Sequence, residues 1–235
     1  MSTSLDIQIP SNDGDIPAVL TLPDSGSGPG LVLIQEIFGV NPYIRSVADR
    51  LAGEGYVVVT PHMFWRIEPD FVIDAKGPDD LPPAMAVAGQ YLPEHGINDT
   101  GAALTHTGGL DEVTGPVGII GFCFGGSWSY MAAAHHDPAC AVAYYGSMIG
   151  GNVDLASQIS CPILFHFGGE DPFIAADDVA AVRNATSDMD NAEVLVQADA
   201  GHAFDNNHNP MFSKPVAAAA AWSRTSAFLS DHLKS

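Results

Sequence analysis

The chain has 235 residues, 46% of them hydrophobic, and a formal charge of −20 from 28 acidic residues against 8 Lys and Arg. That length supports a sizeable core in one domain, 1–235, and the apolar content excludes a disordered chain. So acidic a field repels phosphate backbones and anionic bilayers, so neither nucleic acid nor a membrane is an expected partner.

Taken in chain order, short β-rich apolar runs recur. The first, IPAVLTL (16–22), follows the turn segment SNDGD (11–15), which predicts a hairpin at one edge of a sheet. GLVLIQ (30–35) comes next, then a helix over 43–53, where Ile44, Val47, Ala48 and Leu51 fall on one face. YVVVT (56–60) is followed by an irregular, proline-rich stretch, 61–83, expected to wall a substrate cleft. The strands PVGIIGF (116–122), CAVAYYG (140–146), PILFHFGG (162–169) and AEVLVQA (192–198) complete the series. Helices are expected over 127–134, 175–187 and 216–233. The later strands are almost wholly apolar rather than alternating, which suits a mostly parallel sheet covered on both faces. The fold class is therefore α/β, a doubly wound sheet with helices on both faces.

Within this pattern, residues 119–126 read IIGFCFGG. Gly121-Phe-Cys-Phe-Gly125 is a G-x-nucleophile-x-G elbow, lying after a strand and before a helix as that motif requires. The nucleophile of such an elbow sits on a strained turn, and its neighbours must be nearly free of side chains for strand and helix to pass closely. Cys123 would sit at a helix N-terminus, where free N–H groups and the helix dipole favour a thiolate. The Phe124 N–H would point at a substrate oxyanion. The competing reading is a buried structural cysteine beside a tight turn.

A cysteine nucleophile needs a base, and the base an orienting acid. Asp171 follows the strand PILFHFGG and His202 follows AEVLVQA, both beyond strand ends where open α/β sheets bind ligands. Asp171 is the expected orienter, with Glu170 as competitor, and His202 the expected base. The other histidines are weaker candidates: His166 is a core residue, His135 and His136 end a helix, His208 lies in a polar loop, and His62, after a strand, is a minor candidate for the cleft wall. No metal-binding spacing is present, so neither a metal nor another cofactor is expected. Glu36 stands between an apolar strand and Ile37-Phe38, so burial is expected to raise its pKa toward neutrality.

These residues resemble the dienelactone hydrolase family of the α/β-hydrolase superfamily. The likeness spans nearly the whole chain through Gln35-Glu-Ile-Phe-Gly-Val-Asn41, Gly121-Phe-Cys-Phe-Gly-Gly126, Tyr144-Tyr-Gly146, His166-Phe-Gly-Gly-Glu-Asp171 and Gly201-His-Ala-Phe204. The resemblance implies a Cys123–His202–Asp171 triad, an oxyanion hole from the Ile37 and Phe124 N–H groups, and a Glu36 that helps to deprotonate the thiol. It implies hydrolysis of a lactone or ester. Family members that take a carboxylated lactone hold it with two arginines, and the positions that align with them here are Leu81 and Asn206. The expected substrate is therefore a small ester or lactone other than a carboxylated dienelactone, neutral and partly apolar. Phe38, Phe64, Trp65, Tyr145, Phe173 and Phe204 are candidate pocket walls, and Arg66 is a candidate carboxylate anchor. A thioesterase or general carboxylesterase would use the same machinery. A non-catalytic reactive-thiol sensor would need the cysteine alone.

Three widely spaced cysteines (Cys123, Cys140 and Cys161) without paired spacing argue against a disulfide framework. The first residues, MSTSLDIQIP, lack the basic and apolar regions of a signal peptide. The expectation is a cytoplasmic protein, a monomer or weak homodimer.

Overall fold

The computed structural model describes residues 2–234. One eight-stranded sheet runs through it in the order β1-β2-β4-β3-β5-β6-β7-β8. β1 (Thr3–Ser11) and β2 (Gly14–Leu22) form the expected edge hairpin, in register from Thr3↔Leu22 to Ser11↔Gly14. Asn12 and Asp13 make its two-residue turn, and Gly14 takes φ +135°, a conformation that costs glycine little. β2 also pairs antiparallel with β4 (Val57–Pro61). From there β3 (Gly28–Ile34), β5 (Val113–Phe122), β6 (Ala141–Tyr144), β7 (Ile163–Gly168) and β8 (Ala192–Gln197) are parallel.

Burial explains the apolar runs. Every residue of β4, β6 and β7 is buried, as a central strand covered on both faces must be. β8 is half-buried throughout because it forms the far edge.

Helices cover both faces. α1 (Pro42–Gly53) starts where Asn41 accepts from the Ile44 N–H at 3.1 Å, and Pro42 occupies the first turn. It buries Ile44, Val47, Ala48 and Leu51, the expected stripe. α6 (Pro215–Leu233) lies beside it, with the Arg50 guanidinium 3.3 Å from the Trp222 ring centroid. α3 (Pro93–Gly108) and α4 (Phe124–His136) pack on further strands of the sheet, and α5 (Ala176–Ala185) packs against the 3-10 segment Gly150–Gln158. The stretch 61–83 is irregular for most of its length, but a short 3-10 turn at Pro78–Asp80 leads into α2 (Leu81–Ala88). Pro82 and Pro83 fall in the first turn of α2, where proline is tolerated.

α3 is a helix that sequence periodicity does not reveal. It contains Gly96 and Gly101 and several β-branched threonines, all poor helix formers. Packing overrides propensity: a Cβ at Gly96 would enter the Trp128 ring, and one at Gly101 would enter the His136 ring. Among the described residues, no helix is long and apolar enough to cross a membrane.

Candidate active site

The carboxyl ends of β3, β5, β6, β7 and the loop after β8 converge on one cavity of about 250 Å³. Cys123 lines it from the β5–α4 turn, with φ 55° and ψ −114°. Such a conformation is strained for a residue with a Cβ, and the surrounding packing enforces it. A Cβ on Gly121 would meet the Gly125 carbonyl, one on Gly125 the Ile34 carbonyl, and one on Gly126 the Tyr144 carbonyl. The Cys123 N–H donates to Tyr144 O at 3.0 Å, which ties the turn to β6. Two further non-glycine residues with positive φ, Tyr145 and Ala203, adjoin the same site.

His202 Nε2 lies 3.1 Å from Cys123 Sγ, and its Nδ1 lies 2.8 Å from Asp171 Oδ2. The other Asp171 oxygen accepts from the Phe173 N–H at 2.8 Å, which fixes the carboxylate. The Asp171 side chain is fully buried and Glu170 is exposed, so the competing acid faces away from the histidine. Burial pulls the His202 pKa down. Charge on Cys123 and the hydrogen bonds and charge of Asp171 outweigh it, and the net result is a pKa raised to about 10. A protonated imidazole between sulfur and carboxylate is thus favoured.

Glu36 follows β3 and is 1% exposed on the cavity wall. Its Oε2 accepts from Asn206 Nδ2 at 2.9 Å, and its buried Oε1 has no hydrogen-bond partner among the described residues. Burial raises its pKa to about 7, against the opposing effects of His202 and Asn206. This is the near-neutral carboxyl expected from its apolar flanks. Asn206, noted in the sequence only as a position without an arginine, proves to be its tether. Phe124 opens α4, so its N–H has no carbonyl to bond within the helix and is free for a ligand. Ile37 lines the same cavity.

The candidate pocket walls divide. Phe38 and Phe173 line the cavity, and the Phe173 ring packs edge-on against His202 at 5.1 Å. Phe64, Trp65, Arg66, Tyr145 and Phe204 lie outside that lining. Phe64 packs behind Phe124 at 5.1 Å between ring centroids. Tyr145 is fully buried behind His202, 5.2 Å away, and Phe204 packs on Tyr145. Trp65 donates to Asp99. Arg66 is held by two carboxylates, Asp99 at 2.6 Å and Asp13 at 2.9 Å. It borders a different, more open hollow of about 520 Å³ beside the β1–β2 turn, which contains no residue of the Cys123–His202–Asp171 set. Two carboxylates already balance its charge, and it does not line the cavity that holds Cys123. The cavity walls that sequence reasoning missed are Met85, Ser127, Ser147, Met148, Ala203 and Phe212. Leu81 and Met85 are one turn apart on α2, so a helix assignment there would have paired them.

A mostly parallel sheet with helices on both faces, a glycine-flanked elbow after β5 and a His–Asp pair on later loops define the α/β-hydrolase class. The model of the dienelactone hydrolase family matches residues 16–233. Carboxymethylenebutenolidase from Pseudomonas sp. (strain P51) is 34% identical over 212 residues, covering 90% of this chain and 88% of that protein. Carboxymethylenebutenolidase 1 from Cupriavidus pinatubonensis (strain JMP 134) is 30% identical, covering 91% and 92%. A solved structure from Klebsiella pneumoniae subsp. pneumoniae MGH 78578 superposes with a TM-score of 0.85 at 27% identity, over 97% of this chain and 98% of the other. The chain belongs to the dienelactone hydrolase family, and it is a hydrolase acting on esters or lactones.

Proposed function

We propose that the protein hydrolyses a neutral, partly apolar ester or lactone through Cys123, and that a carboxylated dienelactone is not its preferred substrate. The observation that carries the reading is the pairing of the Asp171–His202–Cys123 hydrogen-bonded line with an apolar cavity that has no Lys or Arg among its described lining residues. A buried carboxylate without a cationic partner is poorly held, and the formal charge of −20 opposes anion capture further.

With the Cys123 thiol proton held on His202, whose protonated form the site favours, the sulfur attacks the carbonyl carbon as a thiolate. The developing oxyanion rests on the Phe124 and Ile37 N–H groups. As the tetrahedral intermediate collapses, the carbon–oxygen bond to the leaving group breaks and His202 gives its proton to the departing alkoxide. Water, activated by the now neutral His202, then cleaves the thioester, releasing the acid and restoring the thiol. Asp171 holds the imidazole in the tautomer this sequence needs. Glu36, near-neutral and tethered by Asn206, is positioned on the cavity wall to share the thiol proton. Thiolates are easily expelled from tetrahedral intermediates, so activated esters, enol esters and strained lactones are better substrates than simple alkyl esters.

The test is a panel of p-nitrophenyl acetate, a neutral enol-lactone and a carboxylated dienelactone, run on wild type and Cys123→Ala. Cys123-dependent turnover of the neutral compounds, well above the carboxylated one, is the expected result. Faster turnover of the carboxylated lactone would overturn the substrate assignment. Retained turnover in Cys123→Ala would overturn the nucleophile.

A further inference from the structure

Large apolar side chains left exposed on a folded surface mark binding grooves when they adjoin a cavity. Met85 is 60% exposed and Phe173 is 53% exposed, and both line the Cys123 cavity. Met211, 47% exposed, is next in the chain to Phe212, which also lines it. Inside this rim the walls continue apolar through Leu81, Met148 and Phe38. The other large exposed apolar residues, among them Leu5, Leu92 and Val216, line no part of it. α2 explains the arrangement. Ala84 and Val87 are its buried anchors, which leaves Leu81 and Met85 on the face turned to the cavity. Met85 and Met148 flank the space with flexible, polarisable thioethers, which adapt to alkyl and aromatic shapes.

We propose that Met85 and Phe173 form a specificity rim for a linear or aromatic hydrocarbon group, so that the preferred substrates are neutral esters with an apolar chain longer than acetyl. The inference rests on the Cys123 hydrolase reading and names its substrate class. The cavity is continuous with the rim, so a chain on the acyl side of the ester runs from the carbonyl at Cys123 outward between Met85 and Phe173. The Phe173 ring already covers one edge of His202. A chain seated on Phe173 would withdraw the imidazole further from water and strengthen its interactions with Cys123 and Asp171.

The experiment is kcat/KM for p-nitrophenyl acetate, butyrate and hexanoate with wild type, Met85→Gln and Phe173→Ser. Met85→Gln keeps a good helix former at an exposed position and replaces the thioether with an amide. For the wild type we expect kcat/KM to rise about two- to fourfold per added methylene, from the transfer of each CH₂ out of water. Each variant is expected to lower the hexanoate-to-acetate ratio at least threefold. A general effect on folding or on the histidine changes both esters together and leaves that ratio alone. Wild-type kcat/KM that is flat or falls with chain length would overturn the proposal. A rising series whose ratio neither variant alters would overturn the assignment of the rim to Met85 and Phe173. No Cys123-dependent turnover of acetate would defeat the hydrolase reading itself, and this inference with it.

Discussion

Replacing Glu36 with glutamine is expected to shift stability in the variant's favour as pH rises from 5 to 8. Glu36 is buried with one unpartnered oxygen, and its pKa rises from the ordinary 4.5 to about 7 because burial penalises the charged form. That rise corresponds to a penalty of about 3 kcal/mol on the carboxylate. The native pKa lies above the unfolded one, so the unfolded chain releases this proton first as pH rises. Stability is therefore lost between pH 4.5 and about 7. By linkage the loss is about 1 kcal/mol at pH 5 and about 3 kcal/mol at pH 8. A glutamine carbonyl can still accept from Asn206, and any cost of burying its amide is the same at every pH. The difference in unfolding free energy between Glu36→Gln and wild type should thus move in favour of the variant by about 2 kcal/mol from pH 5 to pH 8. Urea unfolding of both proteins at the two pH values measures it. A difference that does not change with pH would mean that Glu36 titrates as an exposed carboxylate does, and the reasoning about its burial would be wrong.

Three further outcomes follow from the same geometry. Asp171→Asn should leave the fold intact by circular dichroism yet lower kcat by about 10²–10⁴, because an amide favours the wrong histidine tautomer. A loss under tenfold would remove Asp171 from the orienting role. Gly125→Ala should destabilise by more than about 2 kcal/mol or prevent folding, since the new methyl would meet the Ile34 and Gln35 carbonyls; a near-normal melting temperature would contradict the close strand–helix passage at the elbow. His202 has a native pKa above its unfolded value, so its stabilising contribution is complete below about pH 6.5 and is lost as pH rises through about 10. The stability gap between wild type and His202→Ala should therefore narrow across that window, and a gap that widens would reverse the charge assignment of the pair.

Much of this molecule is legible in its residues because local and tertiary demands agree. The glycines around Cys123 are required by carbonyls that come within contact of them, so the elbow can be read without a structure. The continuous apolar strands β4, β6 and β7 are buried on both faces, and their composition says so. The order cysteine, aspartate, histidine at the ends of β5, β7 and β8 likewise points to the hydrogen-bonded line of Cys123, His202 and Asp171. α3 was hidden because its glycines serve neighbours distant in sequence, Trp128 and His136, which no local pattern encodes. The pocket walls were hidden for a related reason. Aromatic residues near the site attract the eye, yet Phe64 packs on Phe124, Tyr145 on His202 and Phe204 on Tyr145, outside the cavity lining. Flexible side chains such as Met85 and Met148 do the lining. Arg66 shows the limit most clearly. An arginine in a proline-rich loop beside the expected cleft invites an anchoring role, but its carboxylate partners, Asp13 and Asp99, are far from it in sequence.

The central claim is that Cys123 forms a covalent acyl intermediate. Wild type mixed with excess p-nitrophenyl acetate, quenched in acid within the first turnover and digested, should yield an acetyl thioester on the peptide that carries Cys123. Cys140 and Cys161 should be unmodified. An acetyl group confined to another residue, or turnover with no trapped thioester and undiminished in Cys123→Ala, would contradict the account.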